Sequence, residues 1–202
     1  MRIAAITGGI ASGKTLVLNY IMALGAYGID CDVISREIVR PCTKAWWKIV
    51  DSFGKCILKQ DLEIDRKKLR DVVFNDSRRR KELEAIIHPE VIKRCRDRVE
   101  AIRAIDPGSL VVIDVPLLIE TGMYKEFETV IVVYVNEETQ IRRVMEREGV
   151  KEGDAKKLIG LQMPLDDKLE FADFVINNGG TREETEKQVN ELFYSLSRAG
   201  QQ

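Results

Sequence analysis

A chain of 202 residues, 45% of them apolar and 32% charged, can bury one α/β core of normal size, and two unrelated domains would be cramped in it. Its 32 basic and 33 acidic residues give a formal net charge of −1, so no global field draws it to nucleic acid or to an anionic membrane. No charged and apolar leader opens the sequence and no apolar run reaches the roughly 20 residues of a membrane helix, so we expect a cytoplasmic protein with no membrane partner.

The first stretch is an apolar strand, Ile3-Ala4-Ala5-Ile6, followed by Gly8-Gly9-Ile10-Ala11-Ser12-Gly13-Lys14-Thr15. Behind it Leu16, Val17, Tyr20, Ile21 and Leu24 recur at helical spacing, with Gly25 at the expected C-terminal cap. Gly, four residues, then Gly-Lys-Thr, set between a strand and a helix, is a phosphate-binding loop. Its glycines remove side chains where amide N–H groups must face phosphate oxygens. Lys14 adds a point charge, Thr15 offers a hydroxyl to Mg²⁺, and the helix start presents its positive dipole end.

Tyr27-Gly28-Ile29 reads as a short strand running into Asp30-Cys31-Asp32, at the strand end where α/β folds place ligands. Asp32 also suits the cap of a helix suggested by Val33 to Val39. From Pro41 to Asp106 the strand signal disappears and successive helices follow, too long for a simple crossover and therefore an inserted substrate-binding region. Trp46, Trp47, Ile49, Val50 and Phe53, then Leu69, Val72, Val73 and Phe74, follow in turn; the aromatics among them read mostly as core, the alternative being a ligand-stacking tryptophan. Arg78-Arg79-Arg80-Lys81, balanced by Glu82 and Glu84, reads as a solvated helix face. His88-Pro89 reads as a junction between two helices, with His88 capping or packed.

Leu110-Val111-Val112-Ile113 is the continuous apolar run of a buried parallel strand and ends on Asp114, where a carboxylate can hold Mg²⁺. Val130 to Val135 is a further strand, and Asn136 caps a helix opened by Glu137 and Glu138. Arg142, Arg143 and Arg147 in its latter half either neutralise the helix dipole or cover nucleotide phosphates as a lid, with Gly149, Gly153 and Gly160 giving the segment room to move. Phe174-Val175-Ile176 is the last strand, and Thr181 to Glu184 is a capping box for a terminal helix buried through Val189, Leu192, Phe193 and Leu196. Cys31, Cys42, Cys56 and Cys95 form no C-x-x-C pair and His88 is the one histidine, so no zinc site is expected and the cysteines read as reduced, mostly packing residues.

Taken as an ordered set, these residues resemble the dephospho-coenzyme A kinase family over nearly the whole chain. The matching stretches are Thr7 to Thr15, Ile29 to Asp32 with Arg36-Glu37, Phe53-Gly54, Asp65-Arg66, Phe74, Ile87-His88-Pro89, Asp114 with Pro116-Leu117-Leu118 and Glu120, Gln140 with Arg143 and Arg147, Gln162, Ala172-Asp173, and Asn178. The resemblance implies transfer of the ATP γ-phosphoryl group to the ribose 3′-hydroxyl of dephospho-coenzyme A, giving coenzyme A and ADP. It implies an adenylate-kinase-like P-loop NTPase fold, a five-stranded parallel sheet flanked by helices with a helical substrate-binding insert and a lid. The expected single kinase domain has its core at 1–40, 107–141 and 171–202, the acceptor-binding region near 41–106 and the lid near 142–170.

Carried over residue by residue, Lys14 binds the β and γ phosphates, Thr15 and Asp114 serve Mg²⁺, and Asp32 orients or deprotonates the acceptor hydroxyl. Arg36, His88 and Leu117 belong to the acceptor pocket, and Arg143 and Arg147 face the transferring phosphoryl group. Gly8, Gly9, Ala11, Ser12, Gly13 and Leu16 belong to the ATP site, with Asn178 near the adenine. The sequence departs from the family pattern at Ala11 and Cys42, where glycine is usual, and at Leu16, Cys31, Lys157 and Asn177. The nearest rival is a P-loop kinase for another small acceptor. A nucleotide switch would carry the Asn-Lys-x-Asp guanine signature, which this sequence lacks.

Overall fold

The computed structural model describes residues 1–74 and 76–198; residues 199–202, included in the expected core, lie outside the described residues. The chain divides into two compact units, one formed by 1–30 with 101–202 and the other by 31–100.

The first unit is built on five parallel strands: β1 (Arg2–Gly8), β2 (Tyr27–Asp30), β3 (Leu110–Asp114), β4 (Val130–Tyr134) and β5 (Phe174–Asn177), in the order β2-β3-β1-β4-β5. The central strands read as apolar runs because both of their faces are covered. On one face Ala4, Ile6, Val112, Ile131 and Val133 pack with Val17, Leu18 and Ile21 of α1 (Lys14–Ala23) and with Val189, Leu192 and Leu196 of the terminal helix (Arg182–Arg198). Ala5, Val111, Ile113, Val130 and Val132 alternate with them and are buried as well. The expected capping box is present: Thr181 N donates to Glu184 Oε2 at 2.8 Å, and Glu184 N donates to Thr181 Oγ1 at 3.2 Å.

The register aligns the carboxyl ends of the strands. Asp114 lies level with Ile6 on one side and Asp30 on the other. Gly8 stands one strand from this pair, at the end of β1, where the chain leaves the sheet. That edge is where an open α/β sheet gathers ligands.

The second unit is helical: α2 (Cys31–Glu37), α3 (Lys44–Phe53), α4 (Arg66–Phe74) and most of α5 (Ser77–Ile105). Its core joins Trp46, Ile49, Val50 and Phe53, one stripe of α3, to Ile57, Ile64 and Leu69. Thr43 Oγ1 caps α3 by accepting from Trp46 N at 3.3 Å, Asp65 Oδ1 caps α4 through Lys67 N and Lys68 N at 3.1 Å, and Asp76 Oδ1 caps α5 through Arg78 N at 2.9 Å. Trp46 is buried and its Nε1 donates to Leu62 O at 2.9 Å.

The expected junction at His88-Pro89 does not exist, because α5 runs through Pro89, which lies inside a 29-residue helix. One proline removes one backbone hydrogen bond, a loss that a helix of this length with a packed face absorbs. His88 is neither cap nor core; it is exposed in the middle of that helix. Trp47 and Phe74 are surface residues at 59% and 80% exposure, since the apolar stripe of α3 is already complete without Trp47. Asp32 does not cap α2, because the helix starts at Cys31 and places Asp32 inside the first turn. The basic run behaves as expected in part: Arg78 and Arg80 are exposed, while Arg79 bonds Glu82 and Ser52 O and lies 5.3 Å over the Phe53 ring.

Candidate active site

Between β1 and the first residue of α1 the chain curls tightly. Ser12 N donates to Gly9 O at 3.1 Å, and Leu16 N and Val17 N donate to Gly13 O at 3.0 and 3.2 Å, so the helix grows directly from the loop. Gly13 has φ 89, and a Cβ there would run into Asn178 Nδ2. A Cβ on Gly9 would stand 2.6 Å from Gln140 Nε2. These glycines are therefore required by what holds the loop from behind as well as by what the loop faces.

Ala11 has φ 58, the left-handed region that glycine occupies without cost and alanine does not. The loop keeps its glycine conformation and the alanine bears the strain. Ala11→Gly is expected to raise stability by about 0.5–1 kcal/mol, read as a higher urea midpoint at unchanged m-value.

Two glutamines grip one residue of the loop. Ile10 N donates to Gln162 Oε1 at 2.8 Å, and Ile10 O accepts from Gln140 Nε2 at 2.9 Å. Gln140 is buried on α6 (Glu137–Glu148); Gln162 follows α7 (Glu152–Ile159). Asn178, past the end of β5, completes the support: Nδ2 donates to Ser12 O at 2.8 Å, Oδ1 accepts from Thr185 Oγ1 at 3.1 Å, and its carbonyl accepts from Arg143 Nη2 at 2.9 Å. Each bond contributes about 1 kcal/mol, and together they fix the loop amides before any ligand binds. Gln140 and Gln162 were legible as members of the family pattern, yet their spacing gives no sign that they meet at Ile10.

Charge gathers at the same strand ends. Lys14 Nζ forms an ion pair with the Asp114 carboxylate, their side chains 16% and 6% exposed. Thr15 is exposed in the first turn of α1, which contains no acidic residue, so the positive end of that helix is not neutralised by its own sequence. Asp30, level with Asp114, is a second strand-end carboxylate that the site residues expected from sequence omitted. Leu117, just beyond β3, is exposed at φ 55. Arg147, one turn beyond Arg143, pairs with Glu148 at 2.8 Å, and Lys156 and Lys157 pair with Glu152 and Asp154. Of the glycines expected to loosen this segment, Gly149 takes the left-handed cap at φ 66, Gly153 lies inside α7, and Gly160 has helical φ.

The structure thus brings together Gly8, Gly9, Ala11, Ser12, Gly13, Lys14, Thr15, Asp114, Arg143 and Asn178 around one loop, with Leu16 in the first turn behind it. Asp32, Arg36 and His88 lie in the helical unit, all exposed: Asp32 and Arg36 in the first and last turns of α2, His88 on α5. Among the described residues no cluster of three or more His, Cys, Asp or Glu could hold a metal ion.

Lys168 is fully buried, its Nζ 2.8 Å from Glu120 Oε1 but at an angle outside hydrogen-bond geometry. Glu120 Oε1 also accepts from Met163 N at 3.1 Å. Burial pushes the Glu120 carboxyl up, but the Lys168 ammonium and the Glu120 and Met163 amides outweigh it and hold the group below the ordinary range. Because this carboxyl titrates lower folded than unfolded, its contribution is complete above the unfolded value of about 4.3 and is lost as pH falls through the folded one. Glu120→Gln is expected to cost about 1–3 kcal/mol at neutral pH, moderated by the partial exposure of the carboxylate, and to flatten the acid limb of the stability profile measured by urea unfolding from pH 7 to 3.

Among the described residues no helix is long and apolar enough to cross a membrane. A family model described as dephospho-CoA kinase matches residues 2–184. A dephospho-CoA kinase of Geobacillus kaustophilus is 46% identical over 185 residues, covering 91% of each chain. Among solved structures, a Thermus thermophilus protein superposes with TM-score 0.83 at 28% identity, covering 96% of this chain and 97% of that one. A dephospho-CoA kinase from Campylobacter jejuni superposes with TM-score 0.75 at 27% identity, covering 99% and 100%. A family model spanning nearly all of the chain, on a sheet that ends in this phosphate loop, places the protein in the dephospho-CoA kinase family.

Proposed function

We propose that the protein transfers the γ-phosphoryl group of ATP to the ribose 3′-hydroxyl of dephospho-coenzyme A, releasing ADP and coenzyme A in the cytoplasm. The observation that carries this reading is the braced phosphate loop, with Lys14 at the head of α1 beside the strand-end Asp114, in a chain of this family. Lys14 would turn from Asp114 to the β and γ phosphates. Thr15 and Asp114 are hard oxygen donors of the kind Mg²⁺ takes when phosphates complete its shell, so the residues present fit that ion. When bound, Mg²⁺ neutralises phosphate charge. Ser12 and the loop amides would hold the phosphates, with Asn178 setting their direction through its bond to Ser12 O.

Asp32 would align the acceptor hydroxyl and accept its proton, with Arg36, His88 and Leu117 binding the acceptor. Arg143 would reach the transferring phosphoryl group from its anchor on Asn178, joined by Arg147 once that side chain leaves Glu148. Segment 142–170 would serve as the lid, with Gln140 just before it and Gln162 within it both bonded to Ile10. Phosphoryl transfer of this kind depends on positioning and charge neutralisation more than on covalent chemistry. A transfer assay with ATP and Mg²⁺ tests the reading. Phosphorylation of dephospho-coenzyme A should far exceed that of nucleoside monophosphates, and the reverse order would overturn it.

A further inference from the structure

Cys31 and Cys95 stand 64 residues apart in the sequence, yet their Sγ atoms lie 3.6 Å apart. Cys31 is the first residue of α2 and Cys95 lies on α5; both are partly exposed, whereas Cys42 and Cys56 are exposed. The cysteines are therefore not the packing residues expected from sequence, and two of them form a vicinal pair by folding alone. A disulfide bond is about 2.05 Å long, so the sulfurs need close by only about 1.5 Å. The Cys95 thiol is held below its ordinary pKa, first by its hydrogen bond with Cys31 and, against the opposing effect of burial, by the Arg98 charge, which favours the nucleophilic thiolate. Arg98 itself is anchored on Glu37 at 2.7 Å, so its charge stays beside α2.

We propose that Cys31 and Cys95 are a dithiol–disulfide modification site, oxidised by low-molecular-weight disulfides, and that closing the bond lowers phosphoryl transfer because Cys31 immediately precedes Asp32. The second part rests on Asp32 aligning the acceptor. The Cys95 thiolate attacks one sulfur of a disulfide RSSR, forming Cys95–S–S–R and expelling RS⁻, which takes up a proton. Cys31 gives its proton to solvent and attacks Cys95 Sγ, expelling the second thiolate. In sum, two protein thiols lose two electrons and two protons, and one RSSR becomes two RSH. Pulling Cys31 toward α5 shifts the first turn of α2, and a displacement of about 1 Å at an aligning group costs up to about 10²-fold in rate.

The test uses Cys42→Ser/Cys56→Ser protein, reduced and then treated with oxidised glutathione. Peptide mapping should show a Cys31–Cys95 cross-link with no glutathione retained, and kcat should fall about 10- to 100-fold and recover with dithiothreitol. Adding Cys31→Ser should trap glutathione on Cys95, and adding Cys95→Ser should abolish the cross-link. Unreacted thiols, glutathione retained on the intact pair, or a cross-link that leaves kcat unchanged would each overturn the proposal. The cross-link is read by mass whether or not the protein phosphorylates dephospho-coenzyme A. Activity of the reduced protein tests the kinase reading alone, so the two failures are distinguishable.

Discussion

Asp32→Asn should lower kcat for phosphorylation of dephospho-coenzyme A by on the order of 10²- to 10⁴-fold, the range of a lost general base, while the KM for ATP changes little. The amide keeps the shape of the carboxylate and removes its capacity to take a proton. A purely structural Asp32 makes a different prediction. It is the acid in the first turn of α2, with Arg36 the base in the last, so both side chains complement the helix dipole. Losing the acid would then cost about 0.3–1 kcal/mol of stability and leave kcat within a few-fold of the parent. Steady-state kinetics and urea unfolding on the same variant separate the two. The exposure of Asp32 favours a role toward a ligand, since an exposed helix-end carboxylate contributes little to the fold.

What the sequence displayed and what it concealed divide by range. Local chemistry was readable: the Gly-Lys-Thr loop, the apolar runs that became β1, β3 and β4, the Asn136 and Thr181 caps, and the stripe of α3 each depend on residues within a few positions. Contacts over long separations were not. Gln162 meets Ile10 across 152 residues, Asn178 meets Ser12 across 166, and Cys31 meets Cys95 across 64, none of them marked by any periodicity. Local signals also failed where a longer-range gain outweighed them. Pro89 signals a helix start, yet α5 continues past it, and Ala11 disfavours the left-handed backbone that the loop imposes. Of the residues proposed for the acceptor, Asp32 had a local signal in its place past a strand end, whereas Arg36 and His88 carry no local signature that separates them from solvated helix residues.

Lys14→Met should show how the loop divides its charge between folding and catalysis. Methionine keeps most of the apolar stem and removes the ammonium, so the variant loses the attraction to the β and γ phosphates as they gain charge. The expected loss in kcat/KM for ATP is on the order of 10²- to 10³-fold, comparable to removing one preorganised electrostatic donor. It also deprives Asp114, whose side chain is 6% exposed, of its ammonium partner, at a cost of about 2–3 kcal/mol in unfolding free energy. Asp114→Asn relieves that cost, because a neutral amide needs no counter-charge at the end of β3. The double variant Lys14→Met/Asp114→Asn should therefore recover most of the stability and none of the activity. Stabilisation of the fold by ATP with Mg²⁺ should be smaller in both variants than in the parent, since both weaken binding to the native state. If the double variant regained turnover along with stability, Lys14 would be a partner of Asp114 and nothing more. If Lys14→Met kept parental stability, the pair would carry no folding energy and the lysine would serve the phosphates alone.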